Sequence, residues 1–162
     1  NMQWSDSLQN LGLDVVLYRR GRYILDLFGS VKPNAKEALN LTLDFKKTDL
    51  EILEPFAKEF ISKLKGVASG KLSLQGSLLK PAVRGTLKVQ NAQFRLNYLN
   101  TFYNLEGEVA FKPGEIDINN TILFDELTNP AIMQAKLFHD GFKNFFVRAN
   151  ADFYDFQFLN LP

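Results

Sequence analysis

The chain has 162 residues, a net charge of +1, no cysteine and one histidine. That length suits one domain of ordinary size, and a hydrophobic share of 46% excludes a disordered chain. The missing cysteines exclude disulfides, thiolate metal sites and thiol catalysis, a single histidine excludes a His-based metal cluster or triad within the chain, and near-neutral charge gives no reason to expect nucleic acid.

Residues 1–10 carry no clear period, with Trp4 and Leu8 as apolar anchors. Leu11, Leu13, Val15 and Leu17 then alternate with Gly12, Asp14, Val16 and Tyr18, which is a strand. Arg19-Arg20-Gly21-Arg22 reads as a turn, and Tyr23, Leu25, Leu27 and Val31 return from it as a hairpin partner. Lys32-Pro33-Asn34 is a loop. Leu39, Leu41, Leu43 and Phe45 make a third strand.

One helix is expected next, over 49–66. Leu50, Leu53, Ala57, Phe60, Ile61 and Leu64 recur at three- and four-residue spacing. Thr48 or Asp49 caps it, Glu51 favours its first turn, and Gly66 ends it. Pro55 argues for a shorter version, about Glu54 to Lys65, since an interior proline costs about 3 kcal/mol. Its mixed charge favours a plug packed on the sheet over a lid or a membrane-surface helix.

The clearest patterning follows. Leu72, Leu74 and Leu78 face away from Lys71, Ser73, Gln75 and Ser77. After a turn at Lys80-Pro81, Val83, Leu87 and Val89 face away from Arg84, Thr86, Lys88 and Gln90. Phe94, Leu96 and Tyr98 continue after a phase slip at Gln90-Asn91, which requires a bulge or a corner. The glycines at 70, 76 and 85 sit inside these runs and mark bulges, bends or close backbone contacts. Leu105, Val109 and Phe111 lead to a Lys112-Pro113-Gly114 turn, from which Ile116 and Ile118 return, with Ile122 and Phe124 extending the pairing. Asp125 to Pro130 is a polar loop. Ala131, Met133, Ala135 and Leu137 form another strand, turned at Asp140-Gly141 into Phe145, Val147, Ala149, Ala151 and Phe153. Phe156 and Phe158 slip phase again.

The fold class is mainly β: an antiparallel meander of roughly ten strands with one dry face, plus one amphipathic helix. The stretches are N-terminal strands over 1–48, the helix over 49–66 and further strands over 67–162. No apolar run reaches the roughly 18 residues that span a bilayer, and no signal peptide is visible. The chain reads as a piece of a longer protein.

Two structures satisfy a one-sided apolar sheet. A closed β-sandwich would bury it against a second sheet; an open groove would leave it for another apolar occupant. Periodicity does not separate them, and patterning alone favours the sandwich. No Gly-Lys-Ser/Thr phosphate loop, nucleophile elbow or dinucleotide fingerprint occurs, so neither a cofactor nor catalysis is expected. Glu106 and Glu108 fall on the wet face as a solvated pair, His139 at a strand end, and Arg19, Arg20 and Arg22 in a solvated turn rather than on phosphate headgroups.

The glycine-punctuated run Gly70-x-Leu72-x-Leu74-x-Gly76-Ser77-Leu78, then Lys80-Pro81-x-Val83-x-Gly85-x-Leu87-x-Val89, resembles the C-terminal region of the TamB family, an AsmA-like group. The likeness continues through 98–103, the 111–118 hairpin and Asp125, Asn129, His139 and Phe142. It departs at Thr128, where a glycine is expected beside Asn129. The resemblance implies a long sheet curved like a taco shell with an apolar concave face. It reverses the weighting toward a groove lined by Leu72, Leu74, Val83, Leu87, Val89, Phe94, Leu96, Val109, Phe111, Ile116, Ile118, Met133, Leu137, Phe145, Val147 and Phe153. It implies a non-enzymatic protein of the Gram-negative periplasm, anchored in the inner membrane, which moves phospholipid between the membranes or helps assemble outer-membrane β-barrel proteins. Its partners would be phospholipid acyl chains, an Omp85-type outer-membrane barrel and nascent barrel strands. Bare edge strands would also favour a dimer of the isolated chain.

Overall fold

The computed structural model describes residues 2–5, 10–58, 61–118, 121–125, 127–153 and 155. Leu8, Glu59, Phe60, Phe156 and Phe158 lie outside them. Eleven strands form one antiparallel sheet: β1 Met2–Ser5, β2 Asn10–Arg19, β3 Arg22–Val31, β4 Leu39–Asp49, β5 Ile61–Gly76, β6 Pro81–Leu96, β7 Thr101–Lys112, β8 Glu115–Asp117, β9 Thr121–Phe124, β10 Pro130–Asp140 and β11 Lys143–Phe153. Order in the sheet follows order in the chain, so the meander is as expected. β8 and β9 share one slot between β7 and β10 and act as a single interrupted strand. β1 and β11 are the ends of the strand order and do not pair with each other. The sheet is therefore open, and the described residues contain no second sheet.

The expected helix over 49–66 is overturned. Leu50–Leu53 form one 3-10 turn and Glu54–Ala57 one α-turn, α1. From Ile61 the chain is already strand, paired through Ile61↔Leu96, Ser62↔Arg95 and Lys65↔Gln93. Pro55 fits the first turn of α1, where its missing N–H is not needed. Extending the helix to Lys65 would strip β6 of those partners. The three- and four-residue spacing of Ile61 and Leu64 belongs instead to an irregular strand, with Lys63 at φ 57° and Gly66 at φ 104°. Glu54 supports this irregularity: its carboxylate accepts the backbone N–H groups of Lys63 (3.3 Å) and Leu64 (3.1 Å). The plug role survives in a shorter element, because Leu50 is buried and Ile52 and Leu53 pack on the core.

The phase slip at Asn91 is a bulge inside β6, not a corner between two strands. Asn91 takes φ 49°, and the register shifts against both neighbours. The extra residue lets Val89 and Ala92, three apart, both bury on the dry face. A second bulge at Lys47, φ 51°, shifts β4 against β5. β5 ends at Gly76, so Leu78, expected on the dry face, stands exposed with Leu79 at the hairpin tip.

Dry-face residues line up in rows across the strands. One row runs Leu27, Leu43, Leu72, Gly85, Phe111, Ile116, Leu137 and Val147. Another runs Leu25, Phe45, Gly70, Leu87 and Val109. Each row carries a glycine, and the close backbone contact expected there is real. A Cβ on Gly85 would lie 2.1 Å from the Lys71 carbonyl oxygen, and one on Gly70 2.2 Å from that of Thr86.

The sheet curls. The β5–β6 and β10–β11 hairpin tips are three interstrand steps of about 4.8 Å apart in a flat sheet, roughly 14 Å. Here the backbones of the two tips meet, since a Cβ on Gly141 would lie 3.2 Å from the Leu79 carbonyl oxygen, and Lys80 Nζ reaches Asp140 at 2.9 Å. On the central strands the dry face is buried and Lys71, Arg84, Lys88 and Gln90 opposite are exposed. With a single sheet, that asymmetry places the dry face on the concave side.

Candidate functional site

The apolar wall is built by alternation along each strand and by register between strands. Leu72, Leu87, Val89 and Val109 are buried at its centre, Leu87 with only 2% of its surface exposed. Val83, Phe94, Leu96, Phe111, Ile116 and Ile118 are half-buried and pack against that centre. Leu74, Leu137 and Phe145 are also half-buried. Val147, on the end strand β11, is 59% exposed. Met133 and Phe153 occupy the expected register on β10 and β11, opposite Ala151 and Ala131. The wall is thus closely covered in the middle and bare toward one end strand.

The wall also extends further than the motifs suggested. Ile24, Leu25, Phe45, Leu50, Leu64, Ala68, Ala92, Tyr103, Leu105, Leu123 and Ala131 join the same contiguous cluster. Leu25, Phe45 and Leu105 were legible from alternation. Ile24 was not, because burying both Ile24 and Leu25 breaks the alternation of β3. The signal available was composition: Tyr23-Ile24-Leu25 is an unbroken apolar run.

The polar residues that carried the likeness build turns. The Asp125 carboxylate, fully buried, accepts the backbone N–H of Leu127 (2.9 Å) and of Asn129 (2.8 Å) and the Asn129 side-chain amide (3.0 Å). Thr128 sits within this loop at φ 66°, in the left-handed region that the expected glycine would occupy freely. His139 Nδ1 accepts the Phe142 N–H at 3.0 Å, and the two rings stack at 4.3 Å. Burial pushes the His139 pKa below its ordinary value, against a smaller opposing effect of Asp140. Glu106 and Glu108 are exposed. Glu115 lies between Lys136 (2.9 Å) and Lys112 (3.3 Å), and the hydrogen bond from Lys136 holds its carboxyl below the usual range.

At the β2–β3 turn lies a cavity of about 620 Å³ lined by Arg19, Arg20, Arg22, Lys47, Asp49 and Glu51, with Ile24 and Val67 as its apolar members. Arg20 (φ 50°) and Gly21 (φ 76°) form a two-residue turn with both φ positive, as type I′ requires. Arg19 pairs with Asp49 at 2.8 Å and Glu51 at 3.2 Å, and these partners hold its guanidinium further toward the charged form, the Glu51 hydrogen bond contributing most. A second cavity of about 370 Å³ lies at the opposite end of β3, lined by polar groups of Ser30, Lys32, Glu37, Asn40 and Gln75 together with Ala38 and Leu39.

The profile of one protein family, the TamB C-terminal domain, matches residues 19–140 of this chain. The chain belongs to the TamB C-terminal domain family. The TamB match reaches back to Arg19, ahead of the motifs that carried the resemblance, and stops at Asp140, before β11. Membership implies a Gram-negative envelope protein from a family associated with outer-membrane assembly machinery. No curated protein and no solved structure is significantly similar to the chain. No helix among the described residues is long and apolar enough to cross a membrane.

Proposed function

We propose that this chain supplies an apolar β-groove along which phospholipid acyl chains pass between the inner and outer membranes. The observation that carries the reading is the one-sided apolar wall, continuous from β3 to β10 on a single open sheet. Such a wall takes up acyl chains at roughly 0.8 kcal/mol per buried CH₂. It offers them no hydrogen bonds, so it holds them by shape and lets them slide. The tight centre and the exposed Val147 make the ends of the wall the places where a chain first enters. The role is non-enzymatic: His139 is engaged in a turn, and Glu106 and Glu108 stand in solvent. The protein acts in the periplasm, with the whole molecule anchored in the inner membrane.

A second role, assembly of outer-membrane barrels with an Omp85-type partner, is favoured by β11. Its eleven residues have β10 on one side and no strand on the other among the described residues. An incoming barrel strand pairs there by β-augmentation. A two-sheet adhesion sandwich fits less well, since the described residues form one sheet.

Photoreactive residues in place of Val147, Phe94, Leu87 and Lys88 test the groove. Lipid adducts are expected at Val147 and Phe94, fewer at Leu87 until the wall opens, and none above background at Lys88. Labelling at Lys88 equal to that at Val147 and Phe94 would sink the groove.

A further inference from the structure

We propose that the cavity at the β2–β3 turn is a recognition site for the phosphate of an anionic phospholipid, placed where the apolar wall ends. The proposal rests on the lipid reading above and adds which lipids are taken up and how they are oriented. The lining carries four cations against two carboxylates, a net of +2 in one cavity of a chain whose total is +1. Both carboxylates are engaged by Arg19. Arg20, Arg22 and Lys47 make no ion pair among the described residues. Two carboxylates share Arg19 and keep one negative charge in excess, so the three exposed cations leave the cavity at a net +2.

Their positions are held by backbone. Arg20 and Arg22 flank Gly21 of the type I′ turn, and Lys47 is the bulge residue of β4, its N–H bonded to Ser69 Oγ at 3.0 Å. Arginine offers paired donors to phosphate oxygens, and lysine adds a compact point charge. The apolar side of the cavity selects among phosphates. Ile24 is buried and belongs to the contiguous cluster, whereas Val67, opposite Asp49 and Gln90, is half-buried on the other face, so the cavity lies across the margin of the sheet. A phosphate held by the three cations leaves its acyl chains at Ile24, the member of the lining that belongs to the wall. A free phosphate gains nothing from that side.

The test uses this 162-residue chain at low ionic strength, where exposed charges are least screened. Three probes are titrated by calorimetry: monomeric dihexanoyl phosphatidylglycerol, dihexanoylglycerol, which has the same chains and no phosphate, and inorganic phosphate. The variant combines R20Q, R22Q and K47Q, all at exposed positions, and circular dichroism checks its fold. Loss of charge-assisted contacts should weaken phosphatidylglycerol binding by about tenfold or more, with dihexanoylglycerol binding unchanged. A control variant, R84Q with K143Q, both exposed and toward the opposite end of the strands, should bind phosphatidylglycerol like the parent. Undiminished phosphatidylglycerol binding by the triple variant would overturn the site, as would an equal loss in the control. Inorganic phosphate bound as tightly as phosphatidylglycerol would overturn the lipid assignment. The groove and the site fail separately. If dihexanoylglycerol does not bind but the cations still capture phosphatidylglycerol, the groove falls and the site stands. If dihexanoylglycerol binds and the triple variant is indifferent, the reverse holds.

Discussion

Thr128 shows how much a single position carries. The resemblance raises the expectation of glycine there, and the backbone gives a physical reason for one: φ is 66°, and a β-branched side chain in that region is strained. Thr128→Gly should raise stability by about 1 kcal/mol in urea unfolding, because the side chain is exposed and contributes little packing. A loss of stability would mean that the threonine makes a contact worth more than the strain it brings. His139 gives a second test. Its folded pKa lies below the free value of 6.5, so the fold prefers neutral imidazole, whose Nδ1 accepts the Phe142 N–H. That contribution is complete above pH 6.5 and is lost as pH falls through the lowered folded value. It is the sole histidine, so one imidazole resonance followed by NMR gives its pKa directly. A midpoint above 6.5 would contradict the burial seen here. Both residues were legible as positions in a pattern; their work in turn geometry was not, because φ and hydrogen-bond direction leave no trace in composition.

At the scale of elements, the strands were legible and the helix was misread. Alternation in 71–76, 83–89 and 105–111 has one physical source, a sheet wet on one face. The 50–64 stretch mixes a 3-10 turn, an α-turn and a bulged strand start, and their buried residues happen to fall at helical spacing. Pairing with β6 decided it, and such pairing is non-local. Of the bulges, bends or close contacts that glycines inside strands mark, Gly70 and Gly85 make close contacts, and the consequence can be measured. Gly85→Ala should cost about 2–4 kcal/mol, from strain at φ 136° plus a Cβ driven into the Lys71 carbonyl. Gly21→Ala meets open space and should cost only the conformational part, about 1–2 kcal/mol. Equal costs in thermal unfolding would show that β5 and β6 are less closely apposed than described.

For the whole molecule, a meander makes each strand depend on its neighbours. β5 and β6 carry the most extensive pairing, whereas β1 and β11 each have one partner. Amide hydrogen exchange should therefore be slowest in β6 and fastest at the end strands, with local opening beginning there. Protection in β11 equal to that in β6 would mean that another surface covers its free edge. In the proposed groove, an acyl chain entering at β11 would meet the most yielding part first. By itself the sequence determined that the chain is mainly β, that its strands follow one another in order, and that one face is apolar, because alternation and turn residues are local properties of the chain. Whether that face closes on a second sheet or curls as one open sheet, where the bulges sit, and which cations converge at its end were decided only by the tertiary structure, because each depends on residues far apart in sequence and on register, which a period-two pattern leaves free.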